Sequence, residues 1–173
     1  GKFESYAQAP NKLCTVIDTQ PMGLSRIGFN GRNGWARTSS GVRALKGAEL
    51  NSLLREANFY GFVTMKTDYA KITLAGKSKI GYREVFVVDL QTATGAVKRV
   101  YFDAQTYLPA RVNTVALLMS TAASVEIYLD DWRAVDGVKY PFSVSQNFPG
   151  LSLLFTVSEI KHNVPIDPKL FEP

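Results

Sequence analysis

The chain has 173 residues, 46% of them hydrophobic, with 20 Lys and Arg against 15 Asp and Glu, a net charge of +5. This is the length and composition of one folded domain with a substantial core, and it excludes a disordered chain. The basic residues stand singly, as at Arg26, Arg32, Arg37 and Arg43, which predicts a solvated surface rather than a polyanion-binding run.

In chain order, strand-length runs alternate with turn signals. Phe3 to Ala9 ends in "APNK", Leu13 to Thr19 ends in "QPMG", and "FNGRNGW" holds Asn30-Gly31 and Asn33-Gly34, which read as hairpin dipeptides. Next comes "GAELNSLLREANF", with Leu50, Leu53, Leu54 and Ala57 at i, i+3, i+4 and i+7. That spacing predicts an amphipathic helix, with Glu49 in its first turn and Asn58 as a left-handed cap. "KITLAGKSKIG", "REVFVVDLQ", "VKRVYFD", "ARVNTVALLM", "SVEIYLDDW", "VKYPFSVSQ" and "SLLFTVSEI" complete an antiparallel meander of about ten strands. Most have one apolar face: Val125, Ile127 and Leu129 oppose Glu126, Tyr128 and Asp130. The strand from Glu84 to Leu90 is apolar on both faces, which places it beneath the helix. The expected fold class is α+β: one large antiparallel sheet with a small helical cover, in a single domain spanning 1–173.

The strand "VKYPFSVSQ" contains Pro141, which lacks the N–H that a sheet interior uses. Its neighbours in sequence predict a strand on each side, so Pro141 is expected to mark a kink or ladder gap that bends the sheet, with Tyr140 and Phe142 on the apolar side.

The chemistry on offer is sparse. Cys14 and His162 are the only residues of their kinds. Cys14 therefore forms no disulfide within the chain and reads as a small core hydrophobe, and His162 reads as a surface or tail-packing residue. Zinc and haem motifs are absent, Gly31 and Gly34 read as hairpin glycines, and Asp130 and Asp131 are strand neighbours that point to opposite faces. No cofactor, metal or catalytic set is expected. Trp35 beside Arg32 and Arg37, and Tyr101 beside Arg99, read as core aromatics rather than a nucleic-acid platform. No apolar run has the roughly 20 residues of a membrane-spanning helix. What remains is an apolar sheet face larger than one helix covers, which fits a lipid-sized hydrophobic ligand.

Several stretches resemble, in order, the LolA-like family of periplasmic outer-membrane lipoprotein carriers and lipoprotein-sorting relatives. They are "KFESYAQAPNK", "IGFNGRNGWA", "YFDAQTYLPARV" and "YLDDWRAVDGVKYPFSV". The resemblance implies an open, strongly curved antiparallel half-barrel whose concave face binds acyl chains. It also implies a helix and strand ahead of Gly1, export to the periplasm or outer membrane, and a non-enzymatic role in lipid binding or transport. The carriers have an arginine after the proline turn, and the matching places Cys14 there. The residues expected to line the apolar cavity are Val125, Ile127, Leu129, Tyr140, Phe142, Val144, Leu153 and Phe155. The alternative is an interaction module whose own helices fill the concavity and whose sheet edges meet an envelope protein partner.

Overall fold

The computed structural model describes residues 1–20, 23–61, 63–118 and 121–173. Among them the chain forms twelve strands, two helices and a terminal 3-10 turn. The strands are β1 Lys2–Gln8, β2 Lys12–Thr19, β3 Gly23–Phe29, β4 Gly34–Thr38, β5 Gly41–Ala44, β6 Lys71–Ile80, β7 Arg83–Gln91, β8 Val97–Asp103, β9 Pro109–Leu118, β10 Thr121–Val135, β11 Val138–Phe148 and β12 Leu151–Thr156. Helices α1 Gly47–Ala57 and α2 Met65–Asp68 lie between β5 and β6, and the 3-10 turn covers Pro168–Phe171. All pairing is antiparallel between sequence neighbours, as a meander requires. The strands form two ladders where one was expected: a five-stranded sheet, β1 to β5, and an open seven-stranded sheet, β12 to β6. Two compact units follow this division, residues 1–64 with 164–173, and residues 65–163.

In the first unit each face of the five-stranded sheet is covered in part. Leu13 pairs with Phe29 and Phe29 with Gly34, so these share a face. Leu53 and Ala57 of α1 pack on it with Leu13, Phe29, Ala36 and Leu45. The helix therefore covers this sheet rather than the Glu84–Leu90 strand. Its first turn carries Glu49, bonded twice by the Arg43 guanidinium at 2.7 and 2.8 Å. Asn58 ends the helix in an extended conformation (φ −65°, ψ 100°) instead of the expected left-handed one. Gly34 is a strand residue, not a turn glycine; a Cβ there would lie 2.7 Å from a Leu50 methyl.

The opposite face is the row Tyr6, Cys14, Gly28 and Trp35. Trp35 lies flat across Gly28, where a Cβ would be 2.4 and 2.6 Å from two ring carbons. Its indole N–H donates to the Phe171 carbonyl at 2.8 Å, and Cys14, Trp35 and Phe171 form one buried cluster with Ile166 against it. The C-terminal residues thus cover part of the face that α1 leaves open.

In the second unit, "REVFVVDLQ" and "VKRVYFD" fill β7 and β8 as expected, whereas "SLLFTVSEI" is a strand only to Thr156. The Asp136-Gly137 turn has φ of 49° and 81°, the left-handed pair that a two-residue hairpin needs. Pro141 pairs with Trp132 on β10, but the β12 ladder begins only at Ser143. The strand is therefore flanked on one side at the proline, which relieves the conflict that two full neighbours would have posed. One step on, Asp131 and Phe142 make no ladder pair, and Asp131 adopts φ 53°. The interruption expected at Pro141 lies beside it, with the unusual backbone on the partner strand.

Gly28→Ala is expected to destabilise the protein by about 1–3 kcal/mol, because the added methyl meets a fixed ring. Gly34→Ala should cost less, because the end of the Leu50 side chain can rotate away. Urea unfolding of both variants measures the difference.

Candidate apolar binding face

The antiparallel register of the seven-stranded sheet fixes which side chains share a face, since directly paired residues project together and neighbours along a strand alternate. Following the pairs across the sheet gives the row Leu74, Val88, Val100, Val112, Ile127, Gln146, Leu153. A second row on the same face runs Leu129, Val144, Phe155. Leu90, Val100 and Val112 are buried together, with Val88, Phe102, Ile127 and Leu129 against them and Met65 and Tyr69 packed over that end.

By alternation along β10, β11 and β12 all eight expected lining residues fall on this face. Val125 and Phe142 are buried, while Ile127, Leu129, Val144, Leu153 and Phe155 are half-buried. Tyr140 also makes a polar contact: its hydroxyl is 2.9 Å from Nε2 of His162, whose Nδ1 is 2.9 Å from Asp136. His162 thereby ties the residues after β12 to the β10–β11 hairpin. The residues missing from the sequence reading are Val88, Leu90, Val100 and Val112. Their strands carry apolar side chains on both faces, with Val85, Val87 and Tyr101 buried on the other side, so alternation alone did not separate the faces.

The opposite face of the same sheet is polar towards β9 and β10. The Arg111 guanidinium lies 4.1 Å from the Tyr101 ring centre and 5.8 Å from that of Tyr128. The Tyr128 hydroxyl donates to Glu126 at 3.1 Å. Arg99 grips Asp89 with two bonds of 2.6 and 2.8 Å, which hold the carboxyl below its ordinary value. Asp130 pairs with Arg83 there. Arg133, which pairs with Asp131, belongs by alternation to the Phe142 side, where its guanidinium lies 4.5 Å from the Phe142 ring centre.

Two surface recesses in this unit, of about 270 and 340 Å³, share Arg83, Asp103 and Thr106. Asp103 does not project a reactive group there. Its carboxylate accepts from the Gln105 and Thr106 backbone N–H groups and the Thr106 hydroxyl, at 2.8–3.0 Å, and is held below its ordinary value by those bonds. Among the described residues no three His, Cys, Asp or Glu side chains are grouped as metal ligands. Trp35 and Tyr101 are both buried.

No family model matches the chain, and no curated protein matches it in sequence. Solved structures do match. A DUF1329 family protein from Desulfovibrio piger aligns with TM-score 0.63 at 10% identity, over 98% of this chain and 79% of its own. A LolA superfamily protein from Nitrosomonas europaea aligns with TM-score 0.58 at 12% identity, over 92% and 78%. An outer-membrane lipoprotein-sorting protein domain from Vibrio parahaemolyticus aligns with TM-score 0.64 at 11% identity, over 98% and 80%. The fold is LolA-like. It is carried by strand order and by the apolar and polar alternation of the strands, since only about a tenth of the residues are shared.

Within this LolA-like fold, Cys14 is fully buried among Trp35, Phe171 and Tyr6. Burial also pushes the thiol up from its ordinary value, which lowers the thiolate fraction at neutral pH. Cys14 is therefore expected to react with a disulfide reagent only after unfolding. Reagent uptake timed against the loss of tryptophan fluorescence checks this.

Proposed function

We propose that the protein is a non-enzymatic, exported envelope protein that binds lipid or lipoprotein acyl chains on the apolar face of its seven-stranded sheet. The carrying observation is the apolar row that crosses the strands. Leu129, Val144 and Phe155 lie on three adjacent strands and are half-buried. The two gaps between them, at roughly 4.8 Å each, give about 10 Å of continuous apolar surface. At the other end of the sheet Val100 and Val112 are already buried. Half-buried Ile127, Leu129, Val144, Leu153 and Phe155 extend the surface towards β12 and retain area to give to a ligand.

The LolA superfamily and lipoprotein-sorting proteins that share the fold support this reading. They also support a periplasmic or outer-membrane-associated location. No helix among the described residues is long and apolar enough to cross a membrane.

The test is uptake of a fluorescent fatty acid by purified protein, with native mass spectrometry for carried lipid. Burying one aliphatic side chain contributes about 1.5–3 kcal/mol. Ile127→Asp or Val144→Asp should therefore weaken uptake by at least about tenfold. Leu154→Asp, on the opposite face and 70% exposed, should leave uptake unchanged. Wild-type protein that is consistently empty and takes up no probe would favour the alternative role as an interaction module.

A further inference from the structure

The basic residues that stand apart in the sequence do not stay apart in the fold. Arg26 of β3 and Arg37 of β4 are direct cross-strand partners. Directly paired residues project from the same face with Cβ atoms about 4.5–5.5 Å apart, and like charges placed so repel. Four other arginines are answered with carboxylates: Arg43 with Glu49, Arg83 with Asp130, Arg99 with Asp89 and Arg133 with Asp131. Among the described residues, neither Arg26 nor Arg37 makes an ion pair or a side-chain hydrogen bond. The Nε of Arg26 is removed from solvent without a hydrogen-bond acceptor, a costly state for part of a cation.

No carboxylate on this face forms an ion pair with Arg26 among the described residues, although the Glu4 carboxyl, held below its ordinary value first by Lys2 and Tyr6, also feels the Arg26 charge. Glu4, in the same row beyond Val16, is held by Lys2 at 2.7 Å and by the Tyr6 hydroxyl at 3.1 Å. Asp18 is diagonal to Arg26 across the β2–β3 pair, and no ion pair joins the two. The aliphatic neighbours are exposed: Leu24 at 56% and Val42, paired with Arg37, at 51%.

We propose that Arg26 and Arg37 form a binding site for a phosphate-bearing anion, seated between the two guanidinium groups. Planar guanidinium groups take phosphate oxygens through paired N–H donors, and an anion between two of them turns their repulsion into attraction. The terminal N–H groups of both arginines would hold the anion, since the Arg26 Nε–H has no surface of its own and would report the bound charge from beside it. Two sources present this chemistry, a lipid phosphate headgroup and a free phosphate or phosphomonoester. The exposed aliphatic side chains beside the pair suit the headgroup. The site belongs to the 1–64 and 164–173 unit and does not depend on acyl binding by the other sheet.

The experiment is a titration of the whole protein, labelled at arginine Nε, with inorganic phosphate, followed by NMR. Vesicle co-sedimentation runs in parallel with phosphatidylglycerol and with phosphatidylcholine. A saturable shift of the Arg26 Nε–H signal supports the site. Phosphatidylglycerol capture on top of that shift assigns it to a headgroup, and the shift without capture assigns it to a free phosphoanion. If vesicles capture the protein, Arg26→Gln and Arg37→Gln should each weaken partition by about fivefold, and Arg32→Gln should not. Arg26→Lys should recover part of the partition through charge alone. An Arg26 signal that phosphate leaves unmoved overturns the proposal, because that measurement uses the unaltered protein and no variant has to fold.

Discussion

The constraint on which the rest of the structure depends is the two-residue period of the strand, carried across seven antiparallel strands despite register shifts at Leu74/Gly76 and Tyr101/Phe102. Once Val88, Val100, Val112 and Ile127 are directly opposed, every neighbour along each strand is assigned to the other face. Tyr101, Arg111, Glu126 and Tyr128 must then gather there, and they do. A one-residue slip in any ladder would drive Arg111 or Glu126 into the apolar row. The same register that stabilises the sheet thus creates a continuous apolar surface, and no separate device is needed to build it.

The two units use their sheets differently. The five-stranded sheet covers part of each face itself: α1 packs on one, and Phe171 and Ile166 on the other, while Leu24, Ile27 and Val42 stay exposed. Gly28 makes the second covering possible, since only a residue without a Cβ lets the Trp35 ring lie against the strand and reach the Phe171 carbonyl. In the seven-stranded sheet, Met65 and Tyr69 pack at the Leu90, Val100 and Val112 end. Towards β12 the side chains remain half-buried. That contrast directs the functional reading to the larger sheet.

Much of this was legible in the sequence, and the failures have physical causes. The strands with strict alternation, such as Val125 to Asp130, and the helix from Gly47 to Ala57 carry periods that read directly. The division into two ladders was not legible, because no local signal says where hydrogen bonding between strands stops. The partner of α1 was misassigned for a related reason. An apolar stripe states that a helix needs a surface but not which one, and β7, apolar on both faces, was an equally greasy candidate. Gly34 looked like a turn glycine because Asn33-Gly34 is a turn dipeptide, yet Asn30 already closes that turn through its side chain, accepting from the Arg32 and Asn33 backbone N–H groups. The partner of the Tyr140 hydroxyl was not legible either, because it is a histidine 22 residues away. The Arg26–Arg37 pair shows the same limit, since eleven positions apart in sequence they are opposite in space.

The central claim is that an acyl chain lies on one face of the seven-stranded sheet, and a spin-labelled fatty acid tests it most directly. With methyl-labelled protein, the account predicts paramagnetic broadening of Ile127, Leu129, Val144 and Leu153. Val115 and Leu154, which are exposed on the opposite face, should stay sharp. Equal broadening on both faces, or broadening of Val115 and Leu154 alone, would contradict it.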